Sequence, residues 1–171
     1  MKSVGFKEWA LVCDAIGRGE QTVILRKGGI AEGRDGFAFR HREFFLMPTF
    51  FHEQIGKTRL TNAKIPAAIE GEIALRYFVE IERMEFLATW EEVEALEPLH
   101  ILTREVVRER FEYGEPHGLH VAWVKASTLE PPWIIADSKS YAGCRSWVEL
   151  PDLPDGITLR RVQPDHAGAS S

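Results

Sequence analysis

The stretch EIALRYFVEIE, residues 72–82, decides the fold class. Apolar residues occupy every second position of it, from Ile73 through Tyr77 to Ile81. Successive side chains of a strand point to opposite faces, so this period of two predicts a strand with one buried face. The same alternation returns at 119–126. A run of β-branched and apolar residues over 21–27 predicts a further strand.

Helical patterns are few and grouped. Apolar residues at helical spacing predict a helix over 6–16 that stops at a glycine. Thr89 and Glu92 form a capping-box pattern, and Pro98 begins a helical pattern that extends to about Phe111. Because strands cluster instead of alternating one-to-one with helices, we predict an α+β fold with a mainly antiparallel, curved sheet or small β-barrel flanked by helices.

The remaining elements are short. One or two strands are expected over 36–47, stopped by Pro48, and a helical turn or a loop is expected over 49–55. Adjacent prolines at 131–132 predict a break in the chain, and a last element is expected over 146–150.

Size and composition indicate one domain without a membrane anchor. The chain has 171 residues, of which 44% are hydrophobic, and we expect one domain over 1–160 with a flexible tail over 161–171. No apolar run approaches the ~18–20 residues that a spanning helix needs. Two cysteines, Cys13 and Cys144, make no disulfide framework, which predicts a cytoplasmic protein.

The net charge of −5 conceals a segregation along the chain. Residues 22–64 hold eight Lys and Arg against four acids, and residues 70–112 hold twelve Glu against five Arg. A basic lobe beside an acidic one is typical of a binding face beside a solubilising face. Uneven surface charge without a role is the alternative.

The basic lobe contains the glycine corner TVILRKGGIAEG, residues 22–33. Backbone N–H groups of a glycine turn can converge on an anion, and neighbouring cations add attraction. The predicted phosphate or nucleic-acid contacts are Arg26, Lys27, Gly28, Gly29, Arg40 and Arg42. The corner is neither a P-loop nor a dinucleotide fingerprint, and an ordinary charged hairpin is the alternative.

A second group of residues carries candidate catalytic chemistry. His41, His52 and Glu53 lie close in sequence, and Cys144 stands beside an arginine that would favour its thiolate. Adjacent His52 and Glu53 would diverge by about 100° on a helix, so they are poorly placed to share a metal. We therefore predict neither a metal site nor a cofactor.

The third group is an aromatic and basic set near the C-terminus. Tyr141, Arg145, Ser146 and Trp147 combine the ring faces and the guanidinium that stack and pair with an unstacked base. Together with His52 they form the predicted base or ligand pocket. A core position for Trp147 is the alternative.

These motifs taken together resemble a known family. The stretches are Lys7-Glu8-Trp9-Ala10, Leu25-Arg26-Lys27-Gly28-Gly29-Ile30, Phe45-Leu46, Pro48-Thr49 with His52, and Tyr141 with Gly143-Cys144-Arg145-Ser146-Trp147. In this order they are similar to the motifs of the bacterial "domain of unknown function 1802" family over roughly 6–150. One departure is Ala142, where the family pattern has glycine.

The resemblance implies a biological setting for the protein but no particular reaction. Some relatives in this family are fused to, or lie beside, restriction-endonuclease-type domains, and the resemblance therefore implies nucleic-acid recognition in a restriction or defence setting with such a partner. The predicted fold is similar to the barrels of PUA and EVE type that read RNA and modified bases. The first hypothesis is therefore a DNA- or RNA-binding module that reads a flipped or modified base. The alternatives are a hydrolase or nuclease using His52, His41, Glu53 and Cys144, and an interaction subunit without a ligand.

Overall fold

The computed structural model describes residues 3–27 and 37–165. Within those ranges the strands are β1 (Val4–Trp9), β2 (Val23–Arg26), β3 (Glu43–Thr49), β4 (Glu72–Leu87), β5 (Leu119–Ala136), β6 (Trp147–Glu149) and β7 (Thr158–Arg161). The α-helices are α1 (Ala10–Gly17), α2 (Trp90–Glu94) and α3 (Arg104–Glu112). Short 3-10 helices span His52–Lys57, Glu97–Leu99 and Lys139–Tyr141.

The seven strands form one sheet. Its order is β2-β5-β4-β3-β1-β6, and β7 pairs with β5 outside this path. The long strands β4 and β5 form its centre. Every strand pair is antiparallel except β1 with β3. The predicted α+β fold with a mainly antiparallel, curved sheet is confirmed, and the sheet remains unclosed.

Side chains bridge the opening between the two ends of the curved sheet. Phe37 stands between Phe6 of β1, at a ring distance of 6.1 Å, and His120 of β5, at 5.7 Å. Arg26, at the end of β2, donates a hydrogen bond to the backbone carbonyl of Lys7 in β1. We call this gap between β1 and β2 the seam. The sheet therefore bends far enough to bring β1 and β2 close together, although they are not neighbours in the strand order. Among the described residues, side chains, and not backbone hydrogen bonds between the strands, join them.

Apolar residues fill both faces of the sheet. In β3, Phe44 and Leu46 belong to the inner cluster, which also packs α1 and α3, whereas Phe45 and Met47 belong to an outer cluster. The predicted strand over 72–82 is confirmed, and Leu75, Val79 and Ile81 are buried. The expectation of one buried face is wrong, because Leu75 belongs to the outer cluster and Val79 and Ile81 to the inner one, on either side of the register shift between Leu75 and Tyr77.

The predicted helix over 6–16 is wrong in its first part. Residues up to Trp9 form β1, which pairs with β3 and β6, and only then does α1 begin at Ala10. The short apolar pattern fits a strand as well as a helix, and pairing with two neighbouring strands decides for the strand. The predicted end of the helix at Gly17 is confirmed.

Prolines interrupt the strands less than expected. Pro48 lies inside β3, where β4 no longer pairs, since the β3–β4 register covers only Glu43 to Phe45. Pro131 and Pro132 lie inside β5, where the β4–β5 register jumps. A bulge tolerates proline because no ladder hydrogen bond depends on its missing N–H. The predicted break at Pro131-Pro132 is wrong for this reason, and the predicted stop at Pro48 is wrong because Pro48 pairs with β1 after the β4 pairing has ended.

The second helical segment divides in two. The 3-10 turn Glu97–Leu99 contains Pro98, and α3 starts only at Arg104, capped by Thr103, whose Oγ1 accepts from Val106 N at 3.3 Å. The predicted start at Pro98 is therefore wrong. The capping box at Thr89 is confirmed, since its Oγ1 accepts from the backbone N of Glu92.

Candidate nucleic-acid interface

A cleft opens where the β5–β6 connection passes the ends of β1 and β3. Its volume is about 600 Å³. Its polar and aromatic lining consists of Lys7, Thr49, Asp137, Ser138, Lys139 and Tyr141, and Met47, Pro48, Ile73, Ala142 and Gly143 complete it. We call it the β5–β6 cleft. It is an open, shallow cleft toward which a few polar groups converge.

Strand β1 holds the far wall of the cleft in place. Lys7 Nζ donates to the carbonyl of Gly143 at 2.9 Å, and Lys7 N donates to the carbonyl of Ser146 at 2.8 Å. Burial lowers the pKa of the Lys7 ammonium, and the nearby Arg145 guanidinium lowers it further while Cys144 opposes the shift. Lys7 therefore brings the 143–146 segment against the sheet and gathers positive charge at the cleft.

The near wall is a short, self-capped turn. Ser138 Oγ accepts from Ser140 N at 3.2 Å, and Asp137 Oδ1 accepts from Ser138 N at 2.8 Å. The 3-10 helix that follows places Lys139 in solvent and half-buries Tyr141 against the outer apolar cluster. An aromatic ring and a free ammonium thus flank the opening.

A second group of aromatic and basic side chains lies next to the cleft. We call it the Trp9 corner, and it consists of Trp9, Phe51, Lys57 and Arg110. The Trp9 and Phe51 rings are 5.1 Å apart, edge to face, and the Arg110 guanidinium lies 4.7 Å from the Trp9 ring. Thr49, which lines the cleft, is the register partner of Trp9. The two groups therefore share the same end of β1 and β3.

Arg110 and Arg26 occupy the seam. Arg110 donates to the carbonyl of Leu25 at 3.1 Å, and burial lowers the pKa of its guanidinium to about 10, with Glu8 opposing the shift and Arg26 adding to it. The Arg26 guanidinium lies 4.6 Å from the Phe6 ring, and its Nε is buried without a hydrogen-bond partner among the described residues. The Arg110 guanidinium thus lies close enough to the buried Glu8 carboxylate for the two charges to interact.

The predicted phosphate contacts do not gather on one described surface. Lys27 Nζ donates to three backbone carbonyls, those of Phe111, Pro116 and Gly118. Arg40 and Arg42 are exposed. Gly28 and Gly29 lie outside the described residues. Phosphate binding by Arg26 and Lys27 stays a prediction, and their observed partners are backbone carbonyls.

The predicted base pocket is divided between the two sides of the sheet. Trp147 packs with the inner cluster, 4.8 Å from Phe6, while Tyr141 packs with the outer one. The His41 ring lies 5.0 Å from Trp147. Arg145 is exposed and Ser146 is buried.

The four catalytic candidates are all exposed. They are His41, His52, Glu53 and Cys144. In the described part of the chain no hydrogen bond or ion pair joins any two of them. Among the same residues, no three His, Cys, Asp or Glu side chains come together as ligands for a metal ion.

Several members of the observed site escaped the sequence analysis. These are Lys7, Thr49, Lys139, Phe51, Lys57 and Arg110. The prediction of a helix over 6–16 missed the alternation within β1, where Lys7 and Trp9 lie two residues apart on one strand. Reading β1 as a strand would have placed Lys7 and Trp9 at alternate positions of one strand, whereas nothing local indicates that Arg110 reaches Trp9.

The described helices include none with both the length and the apolar character needed to span a bilayer.

The fold defines an α+β domain whose curved, mainly antiparallel sheet carries a basic and aromatic cleft. The crystal structure of ASCH from Zymomonas mobilis is similar to it, with a TM-score of 0.51, 12% identity and 88% of each chain covered. At that identity the likeness shows the fold alone. A comparison with curated proteins found no match. The family model "Domain of unknown function (DUF1802)" matches residues 5–167, and the chain belongs to this family.

Proposed function

We propose that this protein is a nucleic-acid-binding module that takes an unstacked base into the β5–β6 cleft. The observation that carries the proposal is the meeting of Lys7, Lys139 and Tyr141 in one cleft of about 600 Å³. The PUA-like fold, shared with an ASCH domain, is compatible with it.

The chemistry of the cleft suits a nucleotide. A base can stack on the ring of Tyr141, because stacking needs only an aromatic face and tolerates any base. Lys7 and Lys139 then lie where they attract phosphates, and Thr49 and Ser138 supply hydroxyls for the base edge or the sugar. Arg145 adds positive charge at the rim.

The finer parts of the hypothesis rest on the family resemblance. We propose that the base is flipped or modified, and that the module serves a restriction or defence system beside an endonuclease-type partner. Mismatched, damaged or already single-stranded bases cost least to unstack, which would favour them as ligands of a cleft. Two free cysteines support a reducing, cytoplasmic setting for this work.

Fluorescence anisotropy with labelled single- and double-stranded DNA and RNA tests the proposal across a salt series. Lys139→Gln should lower the slope of log K against log [salt] by about 1, since one phosphate contact is lost. Tyr141→Ala should weaken binding by about 5- to 100-fold, because one stacked base is lost, whereas Tyr141→Phe should retain it.

The matched control is Lys125→Gln, which changes an exposed lysine that pairs with Glu82 at 2.8 Å on another part of the sheet. It should leave the salt slope unchanged. An unaltered salt slope for Lys139→Gln would show that the β5–β6 cleft is not part of the binding site. Absence of binding by the wild-type protein at low salt would reject the function itself.

A further inference from the structure

Phe51 is an exposed aromatic side chain that the fold holds firmly. It is 37% exposed, although it lies only two residues beyond the end of β3. An exposed phenylalanine on a loose loop would need no explanation. This one is carried by a turn whose backbone is anchored from inside the protein.

The anchor is Gln54, which is completely buried. Its Nε2 donates to the carbonyls of Thr49 and Phe51, both at 2.9 Å, and its Oε1 accepts from Leu11 N in α1 at 3.1 Å. One side chain thus ties the turn to the sheet end and to the helix. Phe51 is preorganised as a result, because its backbone has little freedom left.

A cation lies above the same ring. Lys57 Nζ is 5.8 Å from the Phe51 ring and 5.9 Å from the Trp9 ring. The Trp9 ring meets Phe51 edge to face at 5.1 Å and supports it. A partly exposed aromatic side chain beside a lysine is a combination that binds a base and its phosphate, and a base would reach the Phe51 ring where Lys57 and Trp9 leave it uncovered.

The position of this platform relates it to the β5–β6 cleft. Lys7, which lines the cleft, and Trp9, which supports Phe51, are two residues apart on β1. That spacing is about 7 Å along a strand. Thr49 lines the cleft and lies two residues before Phe51. Trp9 packs against the inner cluster and Tyr141 against the outer one, so the path from the cleft to Phe51 runs around the shared end of β1 and β3 through Thr49.

We propose that Phe51 stacks a second, adjacent unstacked base, so that the ligand is a single-stranded segment of at least two nucleotides and not an isolated nucleotide. The proposal rests on the proposed function and specifies its ligand class. Positive charge at Lys7, Lys139 and Lys57 follows the same path and complements the phosphates of such a segment.

The test measures the affinity of the full chain for uridine and thymidine oligonucleotides of one, two, four and eight nucleotides. Phe51→Ala should weaken binding of the tetramer and octamer by about 5- to 100-fold and leave binding of the mononucleotide unchanged. Phe51→Trp should restore tight binding. An octamer that is abasic at every other position should lose the difference between wild type and Phe51→Ala.

Phe86→Ala is the matched control, because Phe86 is 42% exposed and contacts His120 on β5 at 4.9 Å instead of the Trp9 corner. It should not change affinity at any length. Equal affinities of wild type and Phe51→Ala for the octamer, with both proteins folded by thermal melting, would overturn the second stacking site while leaving the cleft intact. Failure of the wild type to bind any length would reject the proposed function instead.

Discussion

At the scale of single residues, buried polar side chains determine how the candidate site is held. Gln54 is the clearest case, because it supplies the acceptor that caps α1 in place of Trp9, which makes no side-chain cap bond. The acceptor and the helix N–H are 43 residues apart in sequence. The platform for Phe51 and the start of α1 therefore depend on one amide.

Replacing Gln54 with alanine should lower the free energy of unfolding by about 2–3 kcal/mol, because Leu11 N and two carbonyls lose a partner inside the protein. Urea denaturation measures the loss. Gln163→Ala removes an exposed glutamine and serves as the control. Equal stability of the Gln54→Ala and Gln163→Ala proteins would contradict the anchoring role.

His100 makes stability depend on pH. It is 4% exposed, and its Nδ1 accepts from Leu102 N at 3.1 Å. Burial, with Arg59 and Arg110 nearby, lowers its pKa to about 4. The His100 imidazole of the unfolded chain binds a proton below about pH 6.5, whereas that of the native protein does so only near pH 4. The free energy of unfolding should therefore fall as the pH drops from about 6.5 to about 4.

The expected contribution is a loss of about 2 kcal/mol between pH 7 and pH 5. His100→Asn keeps an acceptor for Leu102 N but cannot titrate, so it should remove that part of the pH dependence. Denaturation at both pH values, with exposed His117→Asn as the control, provides the comparison. If the stability of His100→Asn depends on pH as strongly as that of the wild type, His100 is not the origin of the pH dependence.

At the scale of elements, side chains from strands complete the ends of helices. Lys27 follows β2, and its three donor hydrogens meet carbonyls in and just after α3, at Phe111, Pro116 and Gly118. Burial lowers the pKa of its ammonium, and Glu115 opposes that shift. The last carbonyls of a helix need such donors because no intrahelical N–H reaches them.

Lys27→Met should therefore cost about 1–2 kcal/mol of unfolding free energy and leave the salt dependence of nucleic-acid binding unchanged. Lys64→Met, at an exposed lysine, should change neither. Chemical denaturation and the anisotropy salt series measure the two effects. A salt slope reduced by about 1 at full stability would instead support the phosphate contact predicted from the glycine corner.

At the scale of the whole molecule, the seam keeps the curved sheet together. The hydrogen-bonded order of strands ends at β2 on one side and at β6 on the other. Arg26, at the end of β2, donates to a backbone carbonyl of β1, and its guanidinium stacks on the Phe6 ring. A closed barrel would need no such side chain, because hydrogen bonds between its strands would meet all around.

Arg26→Met should lower the free energy of unfolding by about 1–2 kcal/mol, since a charged hydrogen bond and a cation–π contact are lost. Amide hydrogen exchange should accelerate in β1 and β2 more than in the central β4. Arg40→Met, at an exposed arginine, is the control. Exchange in β1 and β2 that matches the wild type would show that the seam is held without Arg26.

Local sequence patterns predicted the features that depend on neighbouring residues. The alternation over 72–82 predicted a strand, the Thr89 capping box located a helix start, and clustered strands indicated an α+β fold. These succeed because periodicity and capping act within a few residues of chain.

Contacts between distant parts of the folded chain were needed to establish that residues 4–9 form β1, why Pro48 and Pro131 are tolerated, and which charges meet aromatic rings. These outcomes depend on pairing between residues distant in sequence, such as Lys7 with Gly143 and Arg110 with Trp9. The physical reason is that a curved, unclosed sheet brings its two ends together in space, and no local pattern records how far it bends.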